Sequence, residues 1–187
     1  DIIFEDINRA YLGEKLEKES YTGFDAALYE EQQMKEGKYK KAEKYYDSIF
    51  EGIETESLPL PDCSGKTPER GYLSMPVDTG ESLVLSACEK LGVTPNILFT
   101  GVFGILMSRY FNSEESLFAT IYNGRNDSRL ENTVCMLVKT LPVYCSCDPK
   151  VTIQAYMTEL SEQILSSMAN DIFPFSDICA KYGINSD

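Results

Sequence analysis

The chain opens on an amphipathic pattern. Ile2, Ile3, Ile7, Ala10 and Tyr11 fall on one helical face over residues 2–12, and Gly13 is a natural stop. A second helical stretch begins near Phe24 and breaks at Gly37. Tyr39, Ala42, Tyr46, Ile49 and Ile53 then recur at spacings of three and four, predicting a third helix. Residues 54–71 change texture: Pro59, Pro61, Gly65, Pro68 and Gly71 stand among few apolar residues, which predicts a linker. Beyond it, strands and helices alternate. Tyr72–Val77 reads as a strand and 79–91 as a helix ended by Gly92. Thr94-Pro95 is a cap followed by proline at the first helical position. The helix it opens, 95–111, is apolar nearly all round, so burial on most sides is expected, with Gly101 and Gly104 letting another backbone approach. Ser116–Tyr122 is a strand, Asn123-Gly124 a turn, and Val134–Cys145 one or two strands interrupted near Pro142. Thr152 caps a helix striped by Ile153, Tyr156, Met157, Leu160, Ile164 and Met168. Pro174 starts a last short helix through about Tyr182. The pattern predicts a mixed α/β fold.

Composition changes this picture little. The 187 residues are 43% hydrophobic and 25% charged, which is globular rather than disordered. Charge changes it more. The net charge is −13, with 15 acids and 8 bases in residues 1–60 and 15 and 9 in the rest. A surface this negative repels phosphate backbones and anionic membranes, so neither nucleic acid nor membrane is an expected partner. No apolar run is long enough for a membrane span, and no signal peptide opens the chain. Lys40, Lys41 and Lys44 among glutamates read as a solvated face.

The candidate chemistry is sparse. There is no histidine, hence no imidazole base, no Ser-His or Cys-His dyad and no histidine metal ligand. No phosphate-cradling glycine loop and no Gly-x-Ser-x-Gly elbow is present. The six cysteines form no disulfide framework and read as reduced thiols of a cytoplasmic protein. Cys145-Ser-Cys147 puts two thiols on one strand face, but without a second pair it reads as two small strand residues, so no metal is expected.

The order of several motifs resembles the condensation domains of nonribosomal peptide synthetases. Phe4-Glu5-Asp6-Ile7 and Ala10-Tyr11-Leu12-Gly13 resemble the helix after that family's His-His-x-x-x-Asp-Gly motif. Phe24-Asp25-Ala26 with Tyr29-Glu30 resembles its Tyr-x-Asp-Tyr-Ala-x-Trp-Gln stretch, Tyr45-Tyr46 its Tyr-Trp, and Leu58-Pro59 with Pro61-Asp62 its Leu-Pro-x-Asp. Leu91-Gly92-Val93-Thr94, with the helix to Arg109-Tyr110, resembles its Gly-Val-Thr helix. Phe118 to Arg125 resembles Val-Gly-x-Pro-x-x-x-Arg, and Val134 to Pro142 resembles Ile-Gly-x-Phe-Val-Asn-Thr-Leu-Pro. Asn170-Asp171-Ile172-Phe173-Pro174-Phe175 resembles (His/Asn)-Gln-Asp-Tyr-Pro-Phe. Four positions depart: Ala119 and Cys135 replace glycines, Ile121 a proline, and Lys139 an asparagine.

The resemblance implies a chloramphenicol-acetyltransferase-like lobe, with a mixed sheet packed against helices. Residues 1–60 would be the end of a first lobe, 61–71 a crossover linker and 72–187 most of a second lobe. It implies amide formation between thioesters carried on the phosphopantetheine arms of partner carrier proteins, with no cofactor bound directly. The family's histidine would lie upstream of Asp1, so no catalytic residue is expected here, and the chain alone is expected to be an inactive piece. Its expected partners are carrier domains, the remainder of the first lobe and, through an uncovered face, a second copy. Two alternatives stay open: another acyltransferase of the superfamily with a coenzyme A-like donor, and a non-enzymatic interaction module. The implied channel or lobe-contact residues are Arg125, Lys139, Thr140, Asn170 and Asp171. Each has a plainer reading. Arg125 is a turn residue or the partner of the motif's aspartate. Lys139 is a solvent-facing strand lysine or a channel residue. Thr140 suits a strand, and Asn170 and Asp171 cap or turn the chain before Pro174.

Overall fold

The computed structural model describes residues 2–53, 72–76 and 79–184. The expected linker, Val77 and Cys63 lie wholly or largely outside the described residues. Seven α-helices and two strands appear among them. They are α1 (Ile2–Tyr11), α2 (Gly23–Lys35), α3 (Lys38–Phe50), α4 (Glu81–Leu91), α5 (Pro95–Tyr110), β1 (Glu115–Tyr122), β2 (Lys139–Ser146), α6 (Ile153–Ala169) and α7 (Phe175–Tyr182). A single 3-10 turn covers Ser128–Leu130. The strands form a two-stranded sheet. They run antiparallel: the Glu114 carbonyl before β1 accepts from the Cys147 N–H after β2, while Gly124 after β1 lies against Leu137 before β2. This is a mixed α/β fold, a small sheet packed with helices.

The helix boundaries follow the local signals. Thr22 caps α2 in a capping box: its Oγ1 accepts from the Asp25 N–H, and the Asp25 carboxylate accepts from the Thr22 N–H at 2.8 Å. Thr94 Oγ1 caps α5 ahead of Pro95, and Thr152 Oγ1 accepts from Ala155 at the start of α6. Gly92 and Gly183 end α4 and α7 in the left-handed conformation.

By contact the chain divides into two compact units. Unit 1 is Asp1–Ile53, Ala119–Pro142 and Ser166–Asp187; unit 2 is Glu54–Phe118 and Val143–Leu165. The unit 1 core gathers Ala42, Tyr46 and Phe50 of α3 with Phe173 and Ile178. Tyr46 packs against Phe50 and Phe173, and Tyr39 donates to Asp177 at 2.5 Å. On the rim, Lys181 bridges Glu43 at 2.8 Å and Asp47 at 2.7 Å. In unit 2, one face of α5 meets β2 and α6. Tyr156, Met157, Leu160 and Ile164 are buried, as the stripe predicts, and the Tyr156 hydroxyl donates to the Gly101 carbonyl at 2.9 Å.

Four expectations are corrected. Residues 72–76 form no strand; they are exposed, and among the described residues no ladder extends them. Residues 134–138 are irregular, and β2 runs unbroken through Pro142, which a two-stranded sheet tolerates because each strand has an open edge. Helix α5 is buried on one face only, through Ile97, Gly101, Gly104 and Ser108, while Phe99 and Leu106 are 53% and 60% exposed. Its glycines admit side chains rather than backbone. A Cβ on Gly101 would meet Met157 Sδ at 2.7 Å, and one on Gly104 would meet Cys145 Sγ at 2.6 Å.

Candidate functional site

A cleft of about 420 Å³ opens in unit 1. One wall is α2, whose capping box fixes its first turn. The other is the irregular segment 124–138. That segment has no ladder to hold it, so side chains do the work. Arg125 turns its guanidinium inward and donates to the carbonyls of Leu130, Thr133 (3.0 Å) and Cys135 (3.4 Å). Thr133, fully buried, donates to the Tyr21 carbonyl at 2.8 Å, and the Glu19 carboxylate accepts from the Val134 N–H at 2.7 Å. Arg129 lies over the rings of Tyr21 and Tyr29, 5.0 and 4.7 Å from their centroids, and pairs with Asp127 at 2.5 Å. That pairing holds the Asp127 carboxyl down at about 2.

Two glycines permit close approach, one within the second wall and one between the walls. Gly124 sits at φ +67, and a Cβ there would overlap the Leu137 carbonyl. Gly23, the first residue of α2, would place a Cβ 2.9 Å from Cys135 Cβ. The side chain that Cys135 carries where the resembling family has glycine is thus accommodated by a glycine opposite.

At one end of the cleft stands an ion cluster. Lys139 Nζ lies 3.3 Å from Glu30 Oε1, 3.3 Å from Asp171 Oδ1 and 3.3 Å from the Asp171 main-chain carbonyl. Burial, with help from the Glu30 charge, pushes the Asp171 carboxyl up to about 6, although the Lys139 ammonium pulls the other way. Of the five residues singled out in the sequence, Lys139 and Asp171 therefore meet in the cleft. Arg125 braces its wall from behind. Thr140 follows Lys139 in β2, half-buried and outside the lining. Asn170 closes α6, its Nδ2 donating to the Ser166 carbonyl at 2.8 Å. Sequence reasoning missed Glu30, Thr133 and Arg129, which act through partners distant in the chain. The one signal for Glu30 was its place beside Tyr29 in a family-like stretch.

Elsewhere, burial pushes the Cys145 thiol up to about 11, which makes it a packing group rather than a nucleophile. Among the described residues no group of three or more His, Cys, Asp or Glu side chains is placed to hold a metal. No single described helix is long and apolar enough to cross a membrane; α4 and α5 reach that composition only together, bent by 89°.

The sequence profile described as "Condensation domain" matches residues 1–187. The chain belongs to the condensation-domain family. Among its relatives, gramicidin S synthase 2 of Brevibacillus brevis is 23% identical over 192 residues, covering 100% of this chain and 4% of that protein. Surfactin synthase subunit 1 of Bacillus subtilis (strain 168) is 25% identical over 191 residues, covering 100% of this chain and 5% of that protein. The chain thus spans only a small part of the curated relatives it matches. Among solved structures, the condensation domain of a monacolin K polyketide synthase superimposes with a TM-score of 0.77 at 15% identity, covering 98% of this chain and 45% of that one. The X-domain from teicoplanin biosynthesis, solved in complex with OxyB, gives 0.74 at 17% identity, covering 100% and 44%. These likenesses show the fold. This chain corresponds to part of a condensation domain of the synthetase type.

Proposed function

We propose that these residues belong to an amide-forming condensation domain that joins two acyl groups held as thioesters on carrier proteins in the cytoplasm. The reading rests above all on the family match across all 187 residues, with motifs in family order. In the reaction, the acceptor's amine attacks the donor thioester carbonyl. A C–N bond forms, the C–S bond breaks, the phosphopantetheine thiol leaves, and the amine gives up a proton. In the family that step is assisted by a histidine that takes the proton or positions the amine, and on this reading it lies outside these residues, which contain no histidine. What this chain contributes is position. Placing two tethered reactants removes much of the entropy cost of their encounter. Lys139 and Asp171 are read as polar residues of the substrate channel, flanked by Thr140 and Asn170, and Arg125 as the residue that keeps the channel wall in place. Residues 1–60 are read as the end of one lobe and 72–187 as most of the next, joined by 61–71. Carrier domains and the rest of the first lobe are the partners, with self-association of the isolated chain where they are absent.

A second reading is favoured by the X-domain likeness: a domain of this fold that docks a partner protein rather than catalysing. The gene separates the two. The condensation reading expects His-His-x-x-x-Asp within about ten codons upstream of the Asp1 codon, since that motif's histidine is the family's base or positioning group. A sequence there without histidine would sink it and leave the docking module. Purified alone, the 187 residues are expected to form no amide between two loaded carriers, which mass spectrometry of the carriers would check.

A further inference from the structure

The two edges of the sheet are finished differently. The Cys147 N–H donates to the Glu114 carbonyl at 2.6 Å, and Gly124 lies against Leu137. Both contacts fix one register, with Leu117 opposite Tyr144, Ala119 opposite Pro142 and Ile121 opposite Thr140. Hydrogen-bonded and non-bonded pairs alternate along an antiparallel ladder. Glu114 and Cys147 are a bonded pair, so these three pairs are not, and their main-chain groups point away from the partner strand.

On β2 that outward edge is closed. The Tyr144 N–H donates to Gln163 Oε1 at 3.1 Å, and its carbonyl accepts from Gln163 Nε2 at 3.0 Å. Pro142 has no N–H to offer. On β1 only the first outward donor is engaged: the Glu115 N–H donates to Ser113 Oγ at 3.1 Å. Leu117, Ala119 and Ile121 follow, and among the described residues nothing beyond the edge bonds their main-chain groups. Ala119 is exposed and Ile121 is 69% exposed. No charge and no proline, the usual guards of a free edge, interrupts Ser116–Tyr122.

Apolar surface continues from this edge. Helix α5 lies across the strand pair, with Phe103 edge-on to Phe118 of β1 and Gly104 close to Cys145 of β2. One flank of α5 meets α6 where Gly101 receives Met157; Phe99, Val102 and Leu106 lie on the other flank, exposed.

We infer that β1 is a self-pairing edge: a second copy of this chain adds its own β1 antiparallel to it, with Ala119 on the two-fold axis. The segment is its own complement. Leu117 faces the partner's Ile121, Ala119 faces the partner's Ala119, and each pair exchanges two N–H···O bonds. The side chains that meet beside those bonds are all apolar. Strands stand about 4.8 Å apart, so the α5 helices seated over the two strand pairs come to about 10 Å, the ordinary distance for packed helices. The inference rests on the self-association proposed above for the isolated chain and supplies its surface.

The interface is small, so a dissociation constant on the order of tens of micromolar is expected. Light scattering of the 187 residues should show a dimer at about 200 µM and a monomer at about 2 µM. Over the same rise in concentration, amide hydrogen exchange at Leu117, Ala119 and Ile121 should slow at least about fivefold, while Thr140 on the other edge keeps its rate. Ile121→Lys puts a charge on the edge while lowering the net negative charge that opposes association, and should still weaken the dimer at least about tenfold. Ala119→Pro removes an outward donor that β2 does not use, and should do the same with an unchanged circular dichroism spectrum. If the proline variant does not fold, the lysine variant decides alone. A monomer at about 200 µM overturns the inference together with self-association. A dimer in which those three amides keep the monomer's exchange rates, or which Ile121→Lys weakens by less than about twofold, overturns this edge and leaves association through another face. Neither result bears on amide formation.

Discussion

Gly124 in unit 1 does different work from Gly101 and Gly104 in unit 2. In unit 2, Gly101 and Gly104 receive side chains: Met157 and Leu160 at the first, Cys145 and Tyr156 at the second. In unit 1, Gly124 receives main chain, the Leu137 carbonyl, while itself held at φ +67. Side chains can rotate away from an added methyl group, most easily at the free end of a methionine. A carbonyl bound into the backbone cannot. The core of unit 2 should therefore tolerate change that the cleft wall of unit 1 does not.

The comparison can be broken at its sharpest point. Gly124→Ala meets both a disfavoured conformation, about 1–2 kcal/mol, and the Leu137 carbonyl, so a loss of about 3 kcal/mol or more is expected in urea denaturation. A loss below about 1 kcal/mol would mean the wall is not held as described. Next, Gly104→Ala overpacks against Cys145 and Tyr156, and the helix propensity it gains offsets only part of this; about 1–2 kcal/mol should be lost. Cys145→Ala in the same chain should return much of it.

The third test concerns Asp171. Its folded value of about 6 lies above the ordinary 3.8, so the folded chain holds that proton more tightly than the unfolded chain does. The stability this contributes is fully present below pH 3.8 and is lost as pH rises to about 6, a fall of about 2 kcal/mol. Asp171→Asn should lack that fall. Denaturation at pH 4 and pH 6.5 checks it, and equal slopes for the two proteins would remove Asp171 as the cause. The smallest effect is expected at Gly101→Ala, within about 0.5 kcal/mol of neutral, since the Met157 thioether can swing aside. A large loss there would erase the contrast between the units.

How far the sequence reached follows from the range of each interaction. Helix caps and periodic stripes are local, so α5 and α6 were legible from Thr94 and Thr152 and α3 and α6 from spacings of three and four, whereas the Thr22 cap of α2 went unread. The burial of α5 was not, because an apolar side chain such as Leu106 does not encode whether a neighbour covers it. Residues 134–138 looked like strand because they are apolar, yet their backbone is held by Arg125, Thr133 and Glu19 rather than by a ladder. The ion cluster was half legible. Lys139 and Asp171 were each singled out through the family resemblance, but nothing in the chain announces that residues 32 apart meet, or that Glu30 joins Lys139 from 109 residues away.

The central claim is that these residues work within an amide-forming domain. The direct measurement takes the longer polypeptide that contains them, supplies donor and acceptor carriers loaded as thioesters, and follows the acceptor carrier by mass spectrometry. The expected result is a mass increase equal to the donor acyl group, through a new amide, with no such product from the 187 residues alone. Amide formation by the isolated 187 residues, or none by the longer polypeptide with its own loaded carriers, would contradict it.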